Sequence, residues 1–420
     1  MQKKSGLQFP KRFLWGAATA AHQVEGNTHN QWTVWELENA KSKVAQAEYQ
    51  YGDLDHWDTI KSQAKSANNY VSGKLADHYH RYEEDFDLLQ KMHMNAYRFS
   101  VEWSRIEPEE GAWNAEAIAH YKAYIAELKR RDIEPVMTLF HFTLPVWFTE
   151  RGGFEKRSNV KFFTRFAEKV VSELGQGVRY VITINEPEIY VSESYFNGHW
   201  PPQQTNRFMT WKVANNLITA HNQAAKAIHA LGRRHKVSIA KNSTYVYAGD
   251  DAWLSRASAA VFQYIQDDFW LKRVAKNSDF IGMNYYFSDR VYGYRVHNPN
   301  ETLSDMGWDL NPAEIQFALE RVHHKYNLPI LITENGLADA DDSRRQWWLT
   351  QTLMGMQKAM EDGVRLEGYL HWSLLDNFEW DKGRWPRFGL AAVDYVTGKR
   401  ELRPSAVWFG RVIKHLREGR

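Results

Sequence analysis

Eight short apolar or β-branched runs are spaced along this chain, separated by longer amphipathic stretches, and no other feature of the sequence constrains the fold as strongly. The runs are residues 13–18, 96–101, 135–140, 180–184, 236–240, 280–284, 329–333 and 368–373. Runs of this kind, apolar throughout rather than alternating, read as parallel strands covered on both faces. Between them the period is helical. Residues 82–92 set Phe86, Leu88 and Leu89 on one face, and 115–130, 161–174, 211–231, 312–326 and 345–361 follow the same pattern. Strand followed by helix, eight times over, predicts an α/β fold, a closed (β/α)8 TIM barrel. The alternative, an open doubly wound sheet, wants a Gly-rich phosphate turn after its first strand, and Trp15-Gly16-Ala17-Ala18-Thr19 is not one. With no linker, repeat or low-complexity tract, residues 1–420 read as a single catalytic barrel domain. A long first loop is expected from about Gly26 to His80, and extended βα loops of this sort form the mouth of such a barrel.

Composition narrows the function by exclusion. Hydrophobic residues at 43% and charged residues at 25% suit a soluble globular protein. Lys plus Arg number 53 against 51 Asp plus Glu, a balance with no general attraction for nucleic acid or an anionic membrane. The absence of cysteine removes disulfides, thiolate metal sites and a cysteine nucleophile. Residues 1–10 carry Lys3 and Lys4 but no apolar signal-peptide core, and no stretch approaches the roughly 18 to 20 apolar residues of a membrane span, so a cytoplasmic location is expected. Aromatics at 14%, with 18 Trp and 21 Tyr, fit a ligand with flat apolar faces such as a sugar, and fit additional core packing equally well.

Two glutamates stand where a barrel keeps its chemistry. Glu186, in Thr183-Ile184-Asn185-Glu186-Pro187, follows the fourth run, and Glu334, in Ile332-Thr333-Glu334-Asn335-Gly336, follows the seventh. Side chains at C-terminal strand ends converge over the barrel mouth. Retaining glycoside hydrolysis needs such a pair about 5 to 5.5 Å apart, one attacking the anomeric carbon and the other first protonating the leaving oxygen, then activating water. Either glutamate taken alone reads better as an exposed or helix-capping residue. Their neighbours favour chemistry: Asn185 can donate to a sugar 2-hydroxyl, Pro187 stiffens the turn, and Arg98 at the end of the second run can hold Glu334 ionised. His141, ending the third run, can meet a hydroxyl as a neutral imidazole or serve as a satisfied core histidine.

These blocks, in this order, resemble glycoside hydrolase family 1, the β-glucosidase and β-galactosidase family, over nearly the whole chain. The matching segments are Phe13-Leu14-Trp15-Gly16-Ala17-Ala18-Thr19-Ala20, Gln23-Val24-Glu25-Gly26, the second and third runs, the two glutamate blocks, residues 371–380 and Arg387-Phe388-Gly389-Leu390. The resemblance implies that Glu186 is the acid/base and Glu334 the nucleophile. It implies that Gln23, His141, Asn185, Glu379 and Trp380 hold the hydroxyls of the nonreducing-end sugar above Trp372. It further implies that Tyr286 hydrogen-bonds the nucleophile, Asn284 lines the same pocket, Trp308 is the platform for the leaving group, and Phe388 belongs to the substrate-binding set. The activity implied is a retaining exo-β-glycosidase acting on β-glucosides, with β-fucosides and β-galactosides as further substrates and glycosyl transfer beside hydrolysis. Like charge from Glu334 is expected to raise the Glu186 pKa.

The chain departs from the family pattern at Phe142-Thr143, where Trp-Asp is common, and at Arg384, which is expected to alter the rim. A compact length hints at shorter loops and a more open leaving-group side. A 6-phospho-β-glycosidase is the nearby alternative, disfavoured by Glu379, whose charge repels a phosphate dianion, and kept in view by Lys382 and Arg384. A noncatalytic carbohydrate-binding barrel would be expected to lose one of the glutamates. His78 and His80 raise the idea of a metal-dependent hydrolase, but alternating histidines without an organised third ligand are usually structural. Two-carboxylate chemistry calls for no metal and no cofactor. The expected partner is a small carbohydrate; oligomeric state is left open.

Overall fold

In the computed structural model, which describes residues 7–232 and 235–418, all eight apolar runs form strands. They are β1 (Leu14–Ala18), β2 (Ala96–Ser100), β3 (Glu134–Phe140), β4 (Tyr180–Asn185), β5 (Lys236–Asn242), β6 (Ile281–Asn284), β7 (Ile330–Asn335) and β8 (Leu366–Trp372). Each pairs in parallel with its neighbour in sequence, and β8 closes onto β1, Leu14 opposite Gly368 and Ala18 opposite Trp372. Inward-facing Ala18, Ala96, Val136, Ile182, Ala240, Leu331 and Leu370 fill the barrel. Outward-facing residues such as Tyr97, Met137, Val181 and Ile332 pack beneath the helices. Those helices include His78–Lys91, Ala115–Arg130, Val160–Leu174, Arg207–Ala230, Ile315–Tyr326, Arg345–Glu361 and Pro404–Glu418. No helix among the described residues is long and apolar enough to cross a membrane.

Residues 26–80 are not the loop expected of them. They fold into helices Gln31–Tyr51 and Trp57–Ala64 and a short 3-10 turn, Ala67–Tyr70. Asn30 starts the first with a reciprocal cap: its side chain accepts from the Trp32 and Thr33 amides while the Thr33 hydroxyl accepts from the Asn30 backbone amide. Glu36, Ala40, Lys43, Ala47 and Tyr51, three or four apart, are buried on one face. This insertion grips the segment after β8. Lys43 Nζ lies 3.1 Å from Asp381 Oδ2, Asn69 donates to the Lys382 carbonyl at 2.9 Å, and Arg384 donates to the Val71 carbonyl at 2.6 Å and the Ser72 carbonyl at 3.1 Å. Arg384 therefore backs the last loop instead of shaping the rim.

Candidate active site

The strand register slips where β4 and β7 finish. Pairing shifts between Ile182 and Asn185 on β4 and between Ile332 and Glu334 on β7. Such irregularities re-aim the side chains that follow. Glu186 comes directly after β4 with φ 38° and ψ 63°, a left-handed conformation that costs a non-glycine residue energy. It is held there by its amide, which donates to the Ala240 carbonyl at 2.7 Å, and by helix Pro187–Val191, which it opens. After Glu334, Gly336 passes so close to the Trp372 carbonyl that a Cβ could not be accommodated.

Both glutamates line one cavity of about 380 Å³ at the C-terminal strand ends, Glu334 3% exposed and Glu186 7%. Arg98, inward-facing on β2, binds four strands into one network. It donates to Glu334 Oε1 at 2.5 Å, the Thr333 carbonyl at 3.1 Å, Asn185 Oδ1 at 2.7 Å and Thr138 Oγ1 at 3.0 Å. The Tyr286 hydroxyl donates to Glu334 Oε2 at 2.7 Å, so both oxygens of that carboxylate are held. Asn284 reaches the other carboxyl: its amide donates to Glu186 Oε1 at 2.8 Å and Asn185 Oδ1 at 3.2 Å, while its own oxygen accepts from Thr333 at 2.6 Å.

This environment separates the two carboxyls. Burial pushes both upward, but Arg98 and the Tyr286 hydroxyl pull Glu334 back. Glu186 has less to oppose its desolvation and adds the charges of Glu334 and Glu188, so it rises well above the usual carboxylate range. Of the two carboxyls, Glu186 is the one pushed further toward its protonated form. Like charge contributes as expected from the sequence, yet burial is the larger cause.

Around the carboxyls, polar atoms wait without partners. His141 accepts from Asn185 Nδ2 through Nε2 at 3.1 Å, and its Nδ1 is buried with no partner. Burial and nearby Arg98 drive its pKa well down, so the imidazole is neutral. Its ring is 5.8 Å from that of Trp372 and 6.1 Å from that of Trp380, nearly parallel to both. Gln23 spends its amide on the Phe378 carbonyl at 2.7 Å and leaves Oε1 buried and unpaired; Glu379 Oε2 is likewise unpaired. Burial lifts Glu379 to about 8. Trp308 and Phe388 stand 6.1 Å apart on the far wall, both beside Tyr286.

Every residue singled out in the sequence for catalysis or sugar binding thus falls in or against this cavity. Glu186, Glu334, Asn185, His141, Tyr286, Trp308, Trp372, Glu379, Trp380 and Phe388 line it, whereas Gln23, Arg98 and Asn284 act from behind the lining. Phe142, where the family often has Trp, packs 4.9 Å from Trp200 and 5.1 Å from Trp380. Trp200 also lines the cavity and was not singled out; its indole donates to Asp381 at 2.9 Å. The signal for it was an aromatic set rigidly before Pro201-Pro202. Ile189 from helix Pro187–Val191, Asn242 from the end of β5, and Phe287 and Met306 from loops also join the lining. The two histidines considered for a metal have separate partners: His78 meets Asp85 at 2.7 Å and Tyr124 at 2.8 Å, and exposed His80 meets Asp77.

Comparison with known proteins gives a consistent neighbourhood. The family model described as glycosyl hydrolase family 1 matches residues 5–276 and 259–418. A 1,4-beta-D-glucan glucohydrolase of Thermotoga neapolitana is 30% identical over 457 residues, spanning 97% of this chain and 98% of the relative. Beta-glucosidase A of Thermotoga maritima is 29% identical with the same coverage of both. Among solved structures, a beta-glycosidase from Pyrococcus horikoshii superposes with a TM-score of 0.86 at 35% identity, covering 97% of this chain and 95% of that one.

Proposed function

Because this chain belongs to glycosyl hydrolase family 1, we propose that it is a retaining exo-β-glycosidase that releases terminal β-D-glucosyl residues, and also takes β-fucosides and β-galactosides. The observation that carries the reading is the division of one buried pocket between a proton-holding Glu186 and a Glu334 gripped by Arg98 and Tyr286. Glu334 attacks the anomeric carbon as Glu186 gives its proton to the leaving oxygen, forming a glycosyl ester on Glu334. Glu186, now a carboxylate, takes a proton from water, which breaks that ester and frees the sugar. An alcohol in place of water gives transglycosylation. Gln23 Oε1, His141 Nδ1 and Glu379 Oε2 are the unpaired atoms that sugar hydroxyls satisfy, with Trp372 and Trp380 offering ring faces to the pyranose.

The phosphorylated-substrate alternative finds less support. Lys382 Nζ is engaged by Asp381 at 3.0 Å, and Arg384 is spent on backbone carbonyls. Initial rates on chromogenic β-glucoside, β-galactoside, β-fucoside and β-glucoside-6-phosphate, beside Glu334→Gln, test the reading. Release from the unphosphorylated sugars that vanishes in the variant is expected. Preference for the phosphorylated sugar, or silence from folded protein, contradicts it.

A further inference from the structure

The wall behind Glu186 is thin. Ile189, on helix Pro187–Val191, lines the cavity that holds the two glutamates and also lines a second hollow of about 590 Å³. The second hollow is built largely from Phe196, Trp211, Ile265, Phe269 and Trp270. Phe196 is 49% exposed, and Trp211 and Ile265 are each 59% exposed. Isolated exposed apolar residues are ordinary, but contiguous aromatic surface lining a concavity marks a binding site. Glu188 at its edge is engaged through Oε1, which accepts from the Asn242 amide at 2.7 Å and lies 3.1 Å from Lys241 Nζ, while its Oε2 is buried without a hydrogen-bond partner. Beside Ser192, Arg207, Thr210 and Gln266, most of what the hollow offers a ligand is hydrocarbon surface.

We propose that this hollow seats the far end of a long apolar aglycone, an alkyl chain or linked rings, belonging to a glycoside whose sugar occupies the glutamate cavity. The inference rests on the glycosidase reading above. In that reading the leaving oxygen lies against Glu186, which opens the helix carrying Ile189, so the aglycone departs on this side. Ile189 lines both cavities, and this adjacency distinguishes the hollow from an unrelated surface patch. A short leaving group ends before Ile189; a longer one crosses it and exchanges water for Phe196, Trp211 and Ile265.

The test is kcat/KM for methyl, butyl, octyl and dodecyl β-glucosides below their micellar concentrations, with p-nitrophenyl β-glucoside as reference. The proteins compared are the unaltered enzyme, Trp211→Ala and Ile265→Asn, both changes at exposed positions outside the catalytic cavity. Each methylene fully seated is worth up to about four-fold, so octyl is expected to exceed butyl by about ten-fold or more. Both variants are expected to lose most of that gain while the p-nitrophenyl rate holds. A flat length profile in enzyme that hydrolyses the p-nitrophenyl glucoside overturns the proposal. So does a steep profile that neither variant changes, and so does loss of self-association in Trp211→Ala with the profile intact, which gives the surface to a second copy. Silence on all glycosides, the p-nitrophenyl reference included, takes down the glycosidase reading itself, an outcome distinct from the flat profile.

Discussion

Arg98 on β2 and Glu334 on β7 meet at 2.5 Å, their side chains only 1% and 4% exposed. Removing one member of a buried ion pair leaves the other uncompensated, typically at 3–5 kcal/mol. Arg98→Met is therefore expected to lower stability by about that amount and to abolish most of the activity. Arg98→Lys keeps the charge but not the fork that also holds Asn185. Without the guanidinium, the Glu334 pKa rises further, so the acidic limb of the kcat/KM profile of any residual activity moves to higher pH. Urea unfolding and a pH–rate profile check both effects; an unmoved acidic limb contradicts the pairing.

Tyr286 holds the second oxygen of the same carboxylate. A hydrogen bond to a charged group is worth about 1.5–3 kcal/mol, so Tyr286→Phe is expected to lower kcat by roughly 10- to 100-fold if the bond strengthens as Glu334 becomes a leaving group in the second step. A stability loss of no more than about 3 kcal/mol should accompany it. Steady-state kinetics with thermal unfolding of the same preparation distinguishes this from a packing defect.

Much of this arrangement was legible in the sequence because the period of burial is set by the chain itself. Eight apolar runs became eight strands, and Asn185-Glu186-Pro187 and Glu334-Asn335-Gly336 fell at strand ends because each parallel strand is short. The first insertion was misread for a physical reason: its buried face contains Glu36 and Lys43, polar residues that pair with His22 and Asp381 rather than with water, so no apolar stripe announced the helix. Phe287 and Met306 were invisible for another reason, since loop residues reach the cavity through tertiary placement and not through any local period.

Glu379 gives the fold a pH signature. Its pKa moves from 4.5 to about 8 on burial, so the folded state holds the proton more tightly than the unfolded state. The associated stability is complete below the unfolded value and is lost as pH rises through the folded one; at about 1.4 kcal/mol per unit its ceiling is roughly 5 kcal/mol. Between pH 5 and pH 9 the unaltered protein is expected to lose stability relative to Glu379→Gln. Paired urea titrations across that range measure it, and parallel pH profiles of the two proteins would refute the shift.

Lys43 connects the first insertion to the segment that carries Glu379 and Trp380. Lys43→Met removes the cation while keeping the apolar stem. Asp381 retains Trp200 and Lys382 as partners, so the protein should still fold. The expected result is a several-fold rise in KM for a simple β-glucoside with a smaller change in kcat, because the sugar-facing loop loses its anchor before the glutamates do. A fall in kcat at constant KM contradicts that placement.

The central claim, that Glu334 forms the covalent intermediate while Glu186 carries the proton, is tested most directly by trapping. A 2-deoxy-2-fluoro-β-glucoside with a dinitrophenyl leaving group slows the second step more than the first, and mass spectrometry of the digested enzyme locates the sugar. The account predicts one fluoroglucosyl unit on the peptide containing Glu334, at the Glu334 side chain. Label on Glu186 or another residue, or turnover of the reagent by active enzyme with inversion and no adduct, contradicts it.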